Sequence, residues 1–165
     1  MSWYKIVTVF TIVLFVFGFV MIDSAVSGEN IDWQGTSLYT ETNQIEVGDV
    51  EGHVLMLTKS KQLYILPNGT KLVGNAVSTA DINPKMKQFS SSGYGWTVDK
   101  DGDKMMRTHE GKPAGKNHWK GTWTFTGGTG KYEGVKGGGT WDMYTIAEGQ
   151  PSYLDIGGEM EIPKQ

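Results

Sequence analysis

Strict two-residue alternation in the last third of the chain constrains the fold more than any other feature. Over residues 154–162, apolar residues or glycine occupy every second position, and acidic residues or glycine stand between them. Trp119, Trp123 and Phe125 follow the same period, with Lys120 and Thr124 among the residues between them. Successive side chains of a β-strand point to opposite faces, so this pattern predicts strands with one buried and one wet face.

Turn signals divide the rest of the chain into short segments of strand character. Residues 67–70 and 99–103 carry Asn-Gly and Asp-Gly pairs, and residues 127–130 are rich in glycine. Residues 29–51 are predicted to hold one or two short strands, and residues 81–84 and 111–117 are predicted loops. The further predicted strands are 53–58, 62–66 (continuing the previous strand or following a bend), 71–77, 88–98, 104–109, 119–125, 140–145 and 154–162.

About eight evenly spaced strands, with no helical period after residue 28, predict an all-β domain. Closing the strands into one antiparallel, calycin-like barrel removes the exposed edges, so we expect an eight-stranded barrel over residues 28–165. A two-sheet sandwich is the alternative. A barrel of this size has an interior that side chains fill or that holds one small ligand.

The N-terminal segment predicts one hydrophobic helix before the barrel. Residues 6–22 form an uncharged apolar run, preceded by Lys5 and followed by Asp23. Small residues at Ala25 and Ser27 favour a signal peptide in residues 1–27, cleaved after Ser27. The run also reaches the lower limit of a bilayer span, so an uncleaved anchor is the alternative.

Both readings of the N-terminal segment place the domain outside the cytoplasm. Cleavage predicts a periplasmic or secreted protein. Retention predicts an inner-membrane anchor, with residues 6–22 as its membrane contact and Lys5 on the cytoplasmic side.

Composition excludes several classes of function. The formal net charge is −3, which argues against nucleic acid as a partner. Cysteine is absent, so disulfides, thiolate metal sites and thiol nucleophiles are excluded. No Gly-x-Ser-x-Gly elbow is present, and no motif predicts a cofactor. The residues therefore name no reaction and favour a protein that is not an enzyme.

Residues 120–141 read KGTWTFTGGTGKYEGVKGGGTW, with a Gly-Gly-Thr-Gly-x-Tyr-x-Gly core. This segment resembles the signature of the allene oxide cyclase-like and dirigent-like barrels. The Asp-Gly-Asp turn before it is similar to an uncharacterised bacterial branch of that superfamily. The resemblance implies an eight-stranded barrel with an apolar interior, which in plant relatives binds reactive lipid-like or phenoxy intermediates and steers their cyclisation or coupling. No plant cyclase catalytic motif maps onto this chain, so only the fold is carried over.

Five aromatic side chains are the candidate ligand-binding residues. On a barrel wall they would line an apolar lumen, and the alternative is that they fill it completely. The candidates are Trp96, Trp119, Trp123, Phe125 and Trp141.

Two groups of polar residues resemble metal sites in part, and neither is predicted to bind a metal. Asp99, Asp101 and Asp103 have the acidic character of a calcium loop, but Gly102 stands at the fourth place where an EF-hand needs glycine at the sixth. A hairpin turn explains the same residues. The three histidines are dispersed, without the spacing of a zinc site. They are His53, His109 and His118.

The sequence favours a non-catalytic module that binds a small apolar or aromatic ligand inside the barrel. The resemblance leaves an isomerase or coupling guide as an alternative. The N-terminal segment leaves a second alternative, a membrane-anchored structural subunit of a larger complex. The sequence does not decide whether the protein forms a homo-oligomer.

Overall fold

A computed structural model describes residues 27–147 and 149–164 of the chain. Eight antiparallel strands form one closed barrel in which each strand pairs with its neighbours in sequence and the last pairs with the first. The strands are β1 (Ser27–Glu46), β2 (Val54–Ile65), β3 (Lys71–Asn83), β4 (Gln88–Val98), β5 (Lys104–Gly115), β6 (His118–Gly128), β7 (Lys136–Tyr144) and β8 (Ser152–Ile162), with a short 3₁₀ helix at Gly130–Tyr132.

The predicted antiparallel barrel is thus confirmed, and the two-sheet sandwich is wrong. The helix predicted at residues 6–22, and with it the choice between signal peptide and anchor, lies outside the described residues. Within the part of the chain that is described, no helix combines the length and apolar character needed to cross a bilayer.

The strands are longer than the sequence predicts. Residues 29–46 belong to one strand, whose register shifts between Tyr39 and Glu41. The segments 53–58 and 62–66 merge into β2, and β3 runs on to Asn83 through most of the predicted loop at 81–84. The loop predicted at 111–117 is also wrong, because β5 continues to Gly115 beside β6. The tilted strands of a closed barrel pair with their neighbours along their whole length. Polar residues on the wet face can take part in this pairing as well as apolar ones.

One end of the barrel is filled by side chains. This end, here called the packed end, carries the turns at 66–70 and 99–103, the 3₁₀ helix and both ends of the described chain. Leu72, Met105, Val135 and Met160 are buried there and belong to one hydrophobic cluster with Ile31. Burial of these apolar side chains stabilises the barrel.

The opposite end, here called the open end, carries the turns at 47–53, 84–87 and 116–117 and the described residues 145–147 and 149–151. His53 joins two of its elements: its Nδ1 lies 2.6 Å from Asp49 Oδ1 and its Nε2 lies 3.0 Å from Asp81 Oδ1. The hydrogen bond with Asp49 is the main reason that the pKa of His53 is raised above 6.5, and Asp81 adds to it against partial desolvation.

The His53 contacts predict a pH-dependent stability with a definite sign. Because the folded-state pKa is raised, the protonated ring stabilises the fold fully below the unfolded pKa of about 6.5, and this contribution is lost as pH rises through the folded value. We expect the Tm difference between wild type and His53→Gln to shrink from about pH 5.5 to about pH 8.5. Thermal melts followed by circular dichroism across this range test it, and a difference that is constant with pH would contradict it.

Candidate functional site

A cavity of about 330 Å³ lies in the lumen above the packed end. It reaches exposed Tyr39 and Thr42 at the open end, so it is open to solvent there. The register of β1 allows both of these side chains to point inward, because the bulge at Thr40 takes up the extra residue. The apolar part of the wall comes from Trp33, Met56, Ala76, Ala80, Ile82, Trp119, Trp123, Phe125, Trp141, Met143, Leu154 and Ile156.

Four of the five predicted aromatic residues line this cavity. They are Trp119, Trp123, Phe125 and Trp141. Trp96 does not, because it lies on the outer face of β4 with 37% of its surface exposed. The neighbouring Gly95 and Thr97 are the buried positions, so alternation puts Trp96 outside. The prediction that Trp96 lines the lumen is therefore wrong, and ligand binding by the other four stays a prediction.

The indole N–H groups of the two central tryptophans are already satisfied by backbone. Trp123 Nε1 donates to the carbonyl oxygens of Thr140, at 3.1 Å, and Gly157, at 3.3 Å. Trp141 Nε1 donates to the carbonyl oxygens of Glu110, at 3.2 Å, and Thr122, at 3.1 Å. These bonds fix the rings against the wall, so the tryptophans offer a ligand apolar surface instead of hydrogen-bond donors.

Glycines on neighbouring strands make room for these rings. A Cβ on Gly111 would overlap the Trp141 ring, and a Cβ on Gly158 would lie 2.9 Å from Trp123 Cζ2. Gly121 stands opposite both Gly111 and Trp141 in the sheet. Glycine at 111 and 158 thus lets the backbone approach the two indole rings closely.

One cationic group enters the cavity near the packed end. Arg107 Nη2 donates to Gln62 Oε1 and to Tyr64 Oη, each at 2.7 Å. Tyr64 Oη in turn donates to Gln62 Oε1 at 2.8 Å. The guanidinium also lies over the Tyr64 ring, with Cζ 5.4 Å from its centroid. Burial raises the pKa of Tyr64, and the opposing effect of the Arg107 charge is smaller, so the phenol stays neutral.

His109 is the titratable group beside that arginine. Its Nε2 lies 2.9 Å from Ser78 Oγ, and its ring meets the Trp141 ring edge to face at 6.5 Å. The pKa of His109 is lowered to about 4. The main cause is desolvation by burial, and the second is the positive charge of Arg107. The imidazole is therefore neutral at physiological pH.

The polar floor of the cavity was not predicted from the sequence. Arg107 is the chain's one arginine and sits inside a predicted strand, which was the available signal. The sequence around it reads Met105-Met106-Arg107-Thr108-His109, which has no clean alternation of polarity. The register shift at this point places its extra residue on β6, so β5 itself keeps Met105, Arg107 and His109 on one face.

The aspartate-rich turn holds a lysine ammonium. Asp99 Oδ1 accepts hydrogen bonds from the backbone N–H of Asp101, at 2.8 Å, and of Asp103, at 3.1 Å. Lys131 Nζ forms ion pairs with Asp99 and, at 2.9 Å, with Asp101. Desolvation acts to raise the pKa of Asp99, but Lys131 and the two N–H donors together hold it below the usual value. Lysine thus supplies the positive charge that a calcium loop would take from a metal.

The histidines do not converge. His109 points into the lumen, His53 bridges the open end, and His118 contacts Asp142 Oδ1 at 2.6 Å and stacks on Tyr144. Over residues 27–147 and 149–164, no group of three or more His, Asp or Glu side chains is arranged to hold a metal ion.

The fold is similar to that of dirigent proteins. The pterocarpan synthase dirigent protein GePTS1 superposes with a TM-score of 0.55 at 8% identity, covering 85% of this chain and 87% of that one. For the pterocarpan synthase dirigent protein PsPTS1 the TM-score is 0.54 at 8% identity, with 84% and 97% covered. No family model matches the sequence, and no curated protein matches it. The predicted resemblance to the dirigent-like and allene oxide cyclase-like barrels is confirmed at the level of the fold.

Proposed function

We propose that this barrel is a non-catalytic module that binds one small, largely apolar or aromatic molecule in its lumen. The observation that carries this proposal is the solvent-open cavity of about 330 Å³, walled by fixed indole, phenyl and aliphatic groups. Small-molecule sites have volumes from about 300 Å³ upward and combine apolar walls with a few polar groups that set orientation. The polar groups here include Arg107 with its partners Gln62 and Tyr64, His109, and several serine and threonine hydroxyls.

The chemistry of the wall supports binding over acid–base catalysis. No Asp or Glu belongs to the cavity wall within the described part of the chain. His109 has a pKa of about 4, which makes it a weak base, and it is held by Ser78. The Arg107 guanidinium has hydrogen-bond donors and no acceptor, so it cannot serve as a base. These groups can orient a ligand by hydrogen bonds.

A coupling guide or isomerase is the second candidate, and the dirigent-like fold favours it. Such a role needs only a lumen that holds a reactive molecule in one orientation, because the shape then selects the product. An oxidative phenol-coupling reaction run with and without the protein tests it. A product ratio that the protein leaves unchanged argues against the guide and leaves the binding module standing.

Lumenal binding predicts that filling the cavity abolishes ligand uptake. The neutral probe N-phenyl-1-naphthylamine becomes fluorescent in apolar surroundings and carries no charge. We expect saturable binding to wild type and at least about tenfold weaker binding to Ala80→Phe, because Ala80 lines the cavity and a phenyl ring added there would occupy space that the probe needs. Fluorescence titration measures both.

Val73→Phe is the matched control for the cavity-filling variant. Val73 lies on the same strand, β3, and is 57% exposed on the outer face. We expect it to bind the probe as wild type does. Equal binding to wild type and Ala80→Phe would move the site to the outer surface and reject the proposal, as would absence of probe binding to wild type.

The proposal places the barrel outside the cytoplasm, with residues 1–27 removed as a signal peptide. Intact-mass measurement on soluble and membrane fractions of the native host tests this. A soluble species that begins at Gly28 supports an exported binding protein. A full-length membrane species supports the alternative, an anchored structural subunit, and its co-purifying proteins would then be the partners to identify.

A further inference from the structure

The guanidinium of Arg107 is a partly buried cation that has no acidic partner among the residues that the structure describes. Its hydrogen bonds go to the neutral oxygens of Gln62 and Tyr64, and both are made by Nη2. No ion pair to Arg107 occurs among the described residues, whereas the exposed Lys59 pairs with Glu41 and Lys131 pairs with two aspartates. A charge removed from water without a counter-charge costs free energy, so this arrangement favours an anion that binds beside it.

The other groups around the cavity leave that charge uncompensated. His109 is neutral at physiological pH and adds no charge of its own. Tyr64 is a neutral phenol. The cavity wall contains no carboxylate within residues 27–147 and 149–164. The lumen therefore carries a single positive charge on an otherwise uncharged surface.

We propose that the floor of the cavity is a carboxylate subsite, and that the ligand is a monocarboxylate with an aromatic or apolar body. The guanidinium offers a planar fork that matches a carboxylate, with Nη1 and Nε outside the bonds to Gln62 and Tyr64. The indole walls of Trp123 and Trp141 lie between this floor and the open end and would contact the body. One cation in the wall matches a monoanion and leaves the second charge of a phosphate unpaired. This inference rests on the proposed lumenal binding.

A matched pair of probes separates the subsite from the binding function. 1-Naphthylacetate and 1-naphthylacetamide have the same shape and differ by the charge of one group. Competition against N-phenyl-1-naphthylamine gives both affinities at neutral pH. A hydrogen-bonded ion pair predicts that the carboxylate displaces the probe at about tenfold or more lower concentration than the amide. Equal potency of the two would overturn the carboxylate subsite and leave the proposed function intact.

Three variants test whether the preference for the carboxylate over the amide depends on Arg107. Arg107→Met keeps the aliphatic stem and should reduce the carboxylate preference to about twofold or less, with binding of the neutral probe retained. Arg107→Lys keeps the charge without the fork and should retain part of the preference. Lys61→Met removes one exposed charge from the outer face of β2 and should keep the wild-type preference, which controls for net charge.

The outcomes distinguish the two proposals. A wild-type preference that survives in Arg107→Met, or is lost in Lys61→Met, rejects the carboxylate subsite while the barrel still binds neutral ligands. Wild type that binds none of the three probes rejects the proposed function itself. If Arg107→Met does not fold, the carboxylate and amide affinities of wild type and of Arg107→Lys still test the carboxylate subsite.

Discussion

Replacing Trp123 by alanine is expected to lower the free energy of unfolding by about 3–5 kcal/mol. Its side chain is 4% exposed, packs against Phe125 with ring centroids 4.8 Å apart, and belongs to the main hydrophobic cluster. The surrounding strands form a closed ladder and cannot collapse into the space, so nearly the whole indole volume is left as a cavity. Urea unfolding followed by far-ultraviolet circular dichroism avoids the change in tryptophan fluorescence.

Trp96→Ala provides the control for that substitution. It removes the same side chain from the outer face, where 37% of the residue is exposed. We expect a loss of about 1 kcal/mol or less, with the same dependence on urea concentration. A loss as large for Trp96→Ala as for Trp123→Ala would show that the two rings are equally buried, and would contradict the inside–outside assignment of β4 and β6.

The sequence predicts correctly which face of a strand is buried where polar and apolar residues alternate. The prediction is wrong where they do not alternate. Strands β6 and β8 carry apolar and polar residues at strict alternate positions, and there the buried face agrees with prediction. In β4 the inward positions around Trp96 are Gly95 and Thr97, which carry no apolar signal. Trp96 on the other face is an apolar residue in a strand, so the sequence predicts it, wrongly, to line the lumen. A hydrophobic pattern does not identify small residues that face inward, because they carry no apolar signal. Only the structure shows which neighbouring side chains they make room for.

The candidate site likewise has one part that the sequence predicts and one part that it does not. The apolar wall could be anticipated from Trp119, Trp123, Phe125 and Trp141, because large apolar residues at alternate positions must be covered. The polar floor could not be anticipated, because Arg107 and Gln62 meet across 45 residues of sequence. Their contact depends on closure of the barrel and on the register of β2 to β5, which turns both side chains into the lumen.

Gly121→Ala is expected to be as damaging as the loss of a core indole, although it adds only one methyl group. A Cβ at Gly121 would overlap the carbonyl oxygen of Glu110 and lie 2.7 Å from Gly111 Cα, both on the neighbouring strand. Backbone cannot move aside as a side chain can, so β5 and β6 must separate and lose hydrogen bonds where Trp141 rests on them. We expect a loss of about 3 kcal/mol or more in urea unfolding.

Gly157→Ala is the matched control, since it adds the same methyl group to β8 with the nearest heavy atom, Thr140 Oγ1, 3.8 Å away. Alanine restricts the unfolded chain more than glycine does, so this variant should be neutral or stabilised by up to about 1 kcal/mol. Equal effects at both positions would mean that strand propensity, and not close approach, explains the glycines. A large loss confined to Gly121 would tie this glycine of the signature segment to the close approach of the β5 and β6 backbones.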